Sequence, residues 1–206
     1  VPFARWLLEK EYGGARLVSH QSPGTMAPMK TFLQVSLVVV LAAARLAMAA
    51  SAPAVGSKAP EFSAQSTAGP LSLADLRGNW VVLYFYPKSF TPGCTAEAGS
   101  LRDGIEGLRN LRATVVGVST DDLATQREFK EKLSLPFELI ADPDQKVVEL
   151  YGVKGWLGMA KRRTFIIDPE GILRAVIDDV DTRKHAEQVQ DLLKQLQPAP
   201  TPQGSS

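Results

Sequence analysis

The chain has 206 residues, 45% apolar and 22% charged, with a formal net charge of +1. That balance belongs to a globular chain rather than a disordered one, and with no charge block it excludes a nucleic-acid groove. A single cysteine, Cys94, excludes an internal disulfide and any metal cluster built on several thiols, and His20 and His185 lie too far apart in sequence to support a Cys/His zinc site. Residues 1–28 read as an upstream extension or a product of start-site choice, because a leader pattern follows them. Met29 and Lys30 make a short charged start, the apolar stretch is dense from Val35 to Ala44, and Ala47-Met48-Ala49 supplies an A-x-A end. Residues 29–49 are therefore expected to be a signal peptide. Arg45 interrupts the apolar run too soon for a comfortable membrane span, and tethering by an uncleaved signal is the alternative. Cleavage after Ala49 removes five basic and two acidic residues and leaves a net charge of −2, which argues against a polyanionic partner. Residues 50–57 form a small-residue linker, 58–197 one α/β domain, and 198–206 ("PAPTPQGSS" from Pro198) have the composition of a disordered tail.

Within the domain, "NWVVLYFYP" from Asn79 to Pro87 predicts a strand buried on both faces. Ala113–Thr120 and Phe137–Asp142 predict two more, and Arg163–Asp168 with Ile172–Asp178 a hairpin around "PEG". Helices are expected over Thr95–Leu111, Leu123–Leu133 and Arg183–Leu196, the last with Val189, Leu192, Leu193 and Leu196 at helical spacing. Strands alternating with helices predict a mixed sheet covered on both faces. Cys94 then falls just past the carboxyl end of the first core strand, where open α/β sheets bind ligands. Pro87 ends the strand, Pro92 and Gly93 shape the turn, and a helix begins at about Cys94. Lone cysteines are often inert packing residues. A thiol at a helix N-terminus, however, meets unpaired N–H groups and the positive end of the macrodipole, which favour the nucleophilic thiolate. Dithiol exchange within the chain is excluded, since a C-x-x-C partner would stand at Glu97 and a C-x-x-x-C partner at Ala98.

"PKSFTPGC", Pro87 to Cys94, fits P-x-x-x-T-x-x-C, and with its flanks "LYFYPKSFTPGCTAEAGSLRD" the chain resembles the peroxiredoxin Q branch, also called bacterioferritin comigratory protein. The resemblance runs from about Val55 to Leu196 and includes "GSKAPEFS", "GVSTDD" and "RRTFIID". It implies a thioredoxin-like peroxiredoxin fold, no cofactor, and thiol-dependent reduction of hydrogen peroxide and organic hydroperoxides. Cys94 matches the peroxidatic nucleophile, Thr91 a hydroxyl that donates to the peroxide, and Pro87 a shield against water. The N–H groups of Gly93 and Cys94 would be further donors. The family's arginine from a later strand stands three residues before a Phe, here Phe165, and so matches Arg162, with Arg163 alternating to the other face. Glu97 matches a glutamate that holds the arginine or threonine, with a plain solvated helix residue as the other reading. Trp156–Met159 reads as core packing, or as an apolar collar for a hydroperoxide tail. Many branch members resolve the sulfenic acid with a second cysteine five residues on, where this chain has Gly99. The resemblance therefore implies an external thiol reductant, such as thioredoxin, glutaredoxin or glutathione, and a monomer. A peroxide sensor acting through mixed disulfides is the alternative function. The leader implies export to a periplasm, with a thylakoid lumen as the other destination.

Overall fold

Residues 52–197 of the computed structural model are described below; the expected leader, the segment before it and the expected tail lie outside them. The described residues open with a hairpin that hydrophobic patterning misses, β1 (Ser63–Ser66) and β2 (Gly69–Ser72). Then come β3 (Trp80–Phe85), α1 (Pro92–Asp103), α2 (Ile105–Asn110), β4 (Ala113–Ser119), α3 (Leu123–Lys132), β5 (Glu138–Ala141), α4 (Lys146–Leu150), β6 (Arg163–Ile167), β7 (Leu173–Ile177) and α5 (His185–Leu196). One sheet holds all seven strands in the order β2-β1-β5-β4-β3-β6-β7. The three middle strands, β5, β4 and β3, run parallel, and each flank is an antiparallel pair.

The near-continuous apolar runs of β3 and β4 fit strands covered on both faces. Alternation along β3 sends Val81, Leu83 and Phe85 to one face, where they pack with Val116, Val118, Phe165, Ile167 and Tyr151. Val82, Tyr84 and Tyr86 go to the other, with Cys94, Leu101, Leu108, Phe129, Ile166, Val189 and Leu193. That second face lies under α1, α2, α3 and α5. Each large side chain fully buried there contributes on the order of 1.5–3 kcal/mol.

Two expectations need correction. The single helix expected over Thr95–Leu111 starts earlier, at Pro92, and divides at Gly104. A Cβ at Gly104 would stand 2.4 Å from the Ala186 Cβ, so the glycine lets α5 pass close to the junction of α1 and α2. Core packing of Trp156 and Leu157 is contradicted, for they are 84% and 75% exposed. They sit in a 3₁₀ turn (Trp156–Gly158) whose Leu157 and Gly158 have φ of 55° and 75°, and this left-handed backbone projects the loop outward.

Candidate active site

Tyr86 extends the pairing of β3 by one bond, its N–H donating to Val118 O at 3.1 Å. Pro87 has no N–H to continue it, and the chain turns away. The turn is held from below: Ser89 N–H donates to Asp121 Oδ2 at 2.7 Å, and the Tyr86 hydroxyl donates to Gln126 Oε1 at 2.5 Å. Phe90 takes a left-handed φ of 64°, which reverses the chain into the helix, and its ring lies 5.1 Å from that of Phe129. Thr91 is the N-cap of α1 by backbone, with Pro92 in the first turn, where its missing N–H costs nothing. The first helical bond is Thr95 N–H to Thr91 O at 2.9 Å. The N–H groups of Gly93 and Cys94 precede it and have no intrahelical acceptor.

Cys94 is therefore the third residue of α1, two positions further into the helix than the sequence suggests, and it is 1% exposed. Arg162, the residue before β6, reaches it from the neighbouring strand, and its Nη2 donates to Cys94 Sγ at 3.3 Å. Strand parity explains the choice of arginine. Arg162 shares a face with Thr164 and Ile166, which lie on the Cys94 side, while Arg163 pairs with Asp178 at the sheet edge. The other end of the guanidinium, Nη1, forms an ion pair with Glu97 Oε2. Glu97 is 0% exposed, so it is not the solvated helix residue of the alternative reading. Gly93 lines the same approach, since a Cβ on it would meet Arg162 Nη2 at 3.4 Å. Pro87 is half-buried at the rim. Thr91 differs from expectation: its hydroxyl donates to Lys88 O at 3.0 Å, so its oxygen is left as an acceptor.

From the sequence His185 is only an unsupported zinc ligand. The structure buries it completely beneath the site, with Nδ1 3.2 Å from Glu97 Oε1 and Nε2 3.0 Å from Thr164 Oγ1. Burial and the nearby Arg162 push its pKa down from 6.5 to about 4, so the ring is neutral at pH 7. A signal for it existed. His185 stands four residues before Val189 and eight before Leu193, on the apolar stripe of α5.

The chain matches the AhpC/TSA family over residues 55–176. It is 43% identical over 144 residues to a putative peroxiredoxin Bcp of Coxiella burnetii, covering 66% of this chain and 95% of that protein. To the peroxiredoxin Bcp of Bacillus subtilis it is 38% identical over 151 residues, covering 69% and 96%. Among solved structures, it resembles peroxidoxin BcpB of Mycobacterium tuberculosis with a TM-score of 0.65 and 34% identity, over 70% of this chain and 98% of that one. It also resembles the bacterioferritin comigratory protein of Xanthomonas campestris, studied for its alkyl peroxide reduction, with a TM-score of 0.62 and 28% identity over 66% and 91%.

Proposed function

The chain belongs to the AhpC/TSA family, in the branch of its Bcp and peroxiredoxin Q relatives, and is a thiol-dependent peroxidase; we propose that Cys94 is its nucleophile and that Arg162, Thr91, Pro87, Gly93 and Glu97 complete the site. The observation that carries this reading is the 3.3 Å contact from Arg162 Nη2 to Cys94 Sγ at the start of a helix. The guanidinium sets a fixed positive charge against the atom that attacks. The thiolate attacks one peroxide oxygen; an S–O bond forms as the O–O bond breaks. The departing oxygen gains negative charge, which Arg162 and the Gly93 and Cys94 N–H groups are placed to meet, and it takes a proton to leave as water or an alcohol. Thr91, whose proton goes to Lys88 O, accepts from the hydroperoxide O–H and so fixes which oxygen faces the sulfur. Pro87 covers the rim.

The product is a sulfenic acid on Cys94. With no second cysteine in the chain, it condenses with an external thiol to a mixed disulfide and water, and a second thiol releases Cys94 reduced. The balance is one hydroperoxide and two thiols to one alcohol, one disulfide and one water. Thioredoxin, glutaredoxin and glutathione are the donors to compare. We read the chain as acting as a monomer and, from the leader pattern at residues 29–49, as exported to a periplasm; the mass of the secreted product tests cleavage after Ala49. The peroxidase assignment is tested by hydroperoxide consumption with each donor. The parent should turn over many equivalents and Cys94→Ser none. A Cys94→Ser protein that retains activity contradicts the assignment, and a parent that stops at one equivalent with every donor points to the sensor instead.

A further inference from the structure

Four side chains form a continuous polar path from the sulfur into the core: Cys94, Arg162, Glu97 and His185, with Thr164 behind the imidazole. The last link is not needed to hold the helix. α5 is already anchored by Ala186, Val189 and Leu193 in the core. A fully buried imidazole facing a fully buried carboxylate calls for another explanation.

The tautomer follows from the partners. A carboxylate oxygen only accepts, so Nδ1, which faces Glu97 Oε1, carries the hydrogen. Nε2 is then bare and accepts from the Thr164 hydroxyl at 3.0 Å. The Tyr84 ring, 6.2 Å away and edge-on, closes the remaining side. Glu97 Oε1 and His185 Nδ1 have no hydrogen-bonding partner elsewhere among the described residues; they face each other at 3.2 Å, with the N–H bent too far from the oxygen for a full hydrogen bond. Each is therefore satisfied by the other or not at all.

The carboxylate geometry gives the pairing its consequence. An arginine beside a lone carboxylate prefers the two-pronged arrangement, with both nitrogens on both oxygens. Here Glu97 offers Arg162 only Oε2, which takes Nη1, while Oε1 is turned to His185. Nη2 is left to donate to Cys94 Sγ. We propose that neutral His185 is a positioning residue of the peroxidase site: by holding Glu97 Oε1 it prevents a two-pronged Glu97–Arg162 pair and so keeps one Arg162 nitrogen on the Cys94 sulfur. The inference rests on the peroxidase reading of Cys94 and adds a residue that never touches peroxide.

The test uses His185→Phe, which keeps the bulk and loses the Nδ1–H, and His185→Asn, whose amide nitrogen falls at the Nδ1 position. A third variant, His185→Gln, places its amide nitrogen nearer the Nε2 position, beyond reach of Glu97, and stands in should the phenylalanine variant fail to fold. Two readouts are taken: the rate of Cys94 alkylation by iodoacetamide against pH, and the second-order rate with hydrogen peroxide. In His185→Phe and His185→Gln the alkylation profile should move to higher pH and the peroxide rate fall by about tenfold, the size of one interaction lost at the transition state. His185→Asn should restore most of both. Phe and Gln variants with parent profiles overturn the proposal, as does an Asn variant that falls as far as they do, which marks a packing role. The alkylation profile needs no peroxide, so it judges the His185 contact apart from the peroxidase reading, which activity in Cys94→Ser would sink.

Discussion

Gly99 is the residue that decides how the sulfenic acid leaves. It is half-buried on α1, and a Cβ there would meet only Arg102 Nη2, at 3.9 Å, so a cysteine fits without displacing anything. Five residues along a helix is a rise of about 7.5 Å, which already exceeds the ~7 Å that a disulfide spans between Cα atoms. In Gly99→Cys, peroxide without added thiol should yield an internal disulfide together with unwinding of α1, read by intact mass and by amide exchange of Pro92–Asp103. Persistence of the sulfenic acid with no disulfide formed would contradict this. The parent has a related constraint: Cys94 is 1% exposed, so a protein thiol reaches it only when the first turn of α1 opens. At this scale the sequence was informative where parity or a motif carried the signal. Alternation along β6 separates Arg162 from Arg163, and the Pro-Gly turn puts Cys94 at a helix start. It named Glu97 through the motif and set His185 on the apolar stripe of α5, but it did not join the two, because their pairing links α1 to α5 across eighty-odd positions and neither residue type announces burial.

Among the elements, β3 and β4 approach so closely that one side chain has to be absent. A Cβ on Gly117 would stand 2.7 Å from the Tyr84 ring and from Leu139 Cδ2. Tyr84 is fully buried and stacked on Tyr86 at 5.4 Å, so it has nowhere to move. Gly117→Ala should lower the unfolding free energy by about 1–3 kcal/mol in urea; a midpoint equal to the parent's would mean that the strands yield. Because Tyr84 also abuts His185, the same variant should slow peroxide reduction. The element pattern explains which strands could be read in advance. β3, β4, β5, β6 and β7 fall within the expected runs, since short apolar stretches rich in β-branched and aromatic residues and bounded by turns favour strand over helix. β1 and β2 have four residues each, "SAQS" and "GPLS", with no apolar alternation. They exist because β5 offers an edge, which β1 takes with Gln65 opposite Ala141 and Ser66 opposite Ile140. The break at Gly104 was equally invisible, since it depends on α5 lying against it.

For the whole molecule, the buried imidazole links the site to global stability. His185 is neutral in the fold, its pKa lowered to about 4 by burial and Arg162, against 6.5 for an ordinary histidine. Below pH 6.5 the unfolded chain binds a proton that the folded chain refuses, so stability falls as pH drops, until the folded state also protonates near pH 4. Between pH 7 and pH 5 the loss is about 2 kcal/mol. Asp142 works in the opposite direction, because burial raises its pKa and acidification relieves it. Urea unfolding at the two pH values should show a larger loss for the parent than for His185→Asn; equal losses would contradict a neutral buried His185. The same architecture places Cys94 at the carboxyl end of the central strands under α5, so chemistry and core share one face. Delivery of one peroxide oxygen to one sulfur is the chemistry assigned to this face. Its most direct measurement is the intact mass of the reduced chain after a single equivalent of hydrogen peroxide without thiol, followed by addition of a thiol. The mass should rise by one oxygen atom, located on Cys94, trapped by dimedone and removed by the thiol. A chain that takes up no oxygen, or takes it up equally well as Cys94→Ser, would contradict it.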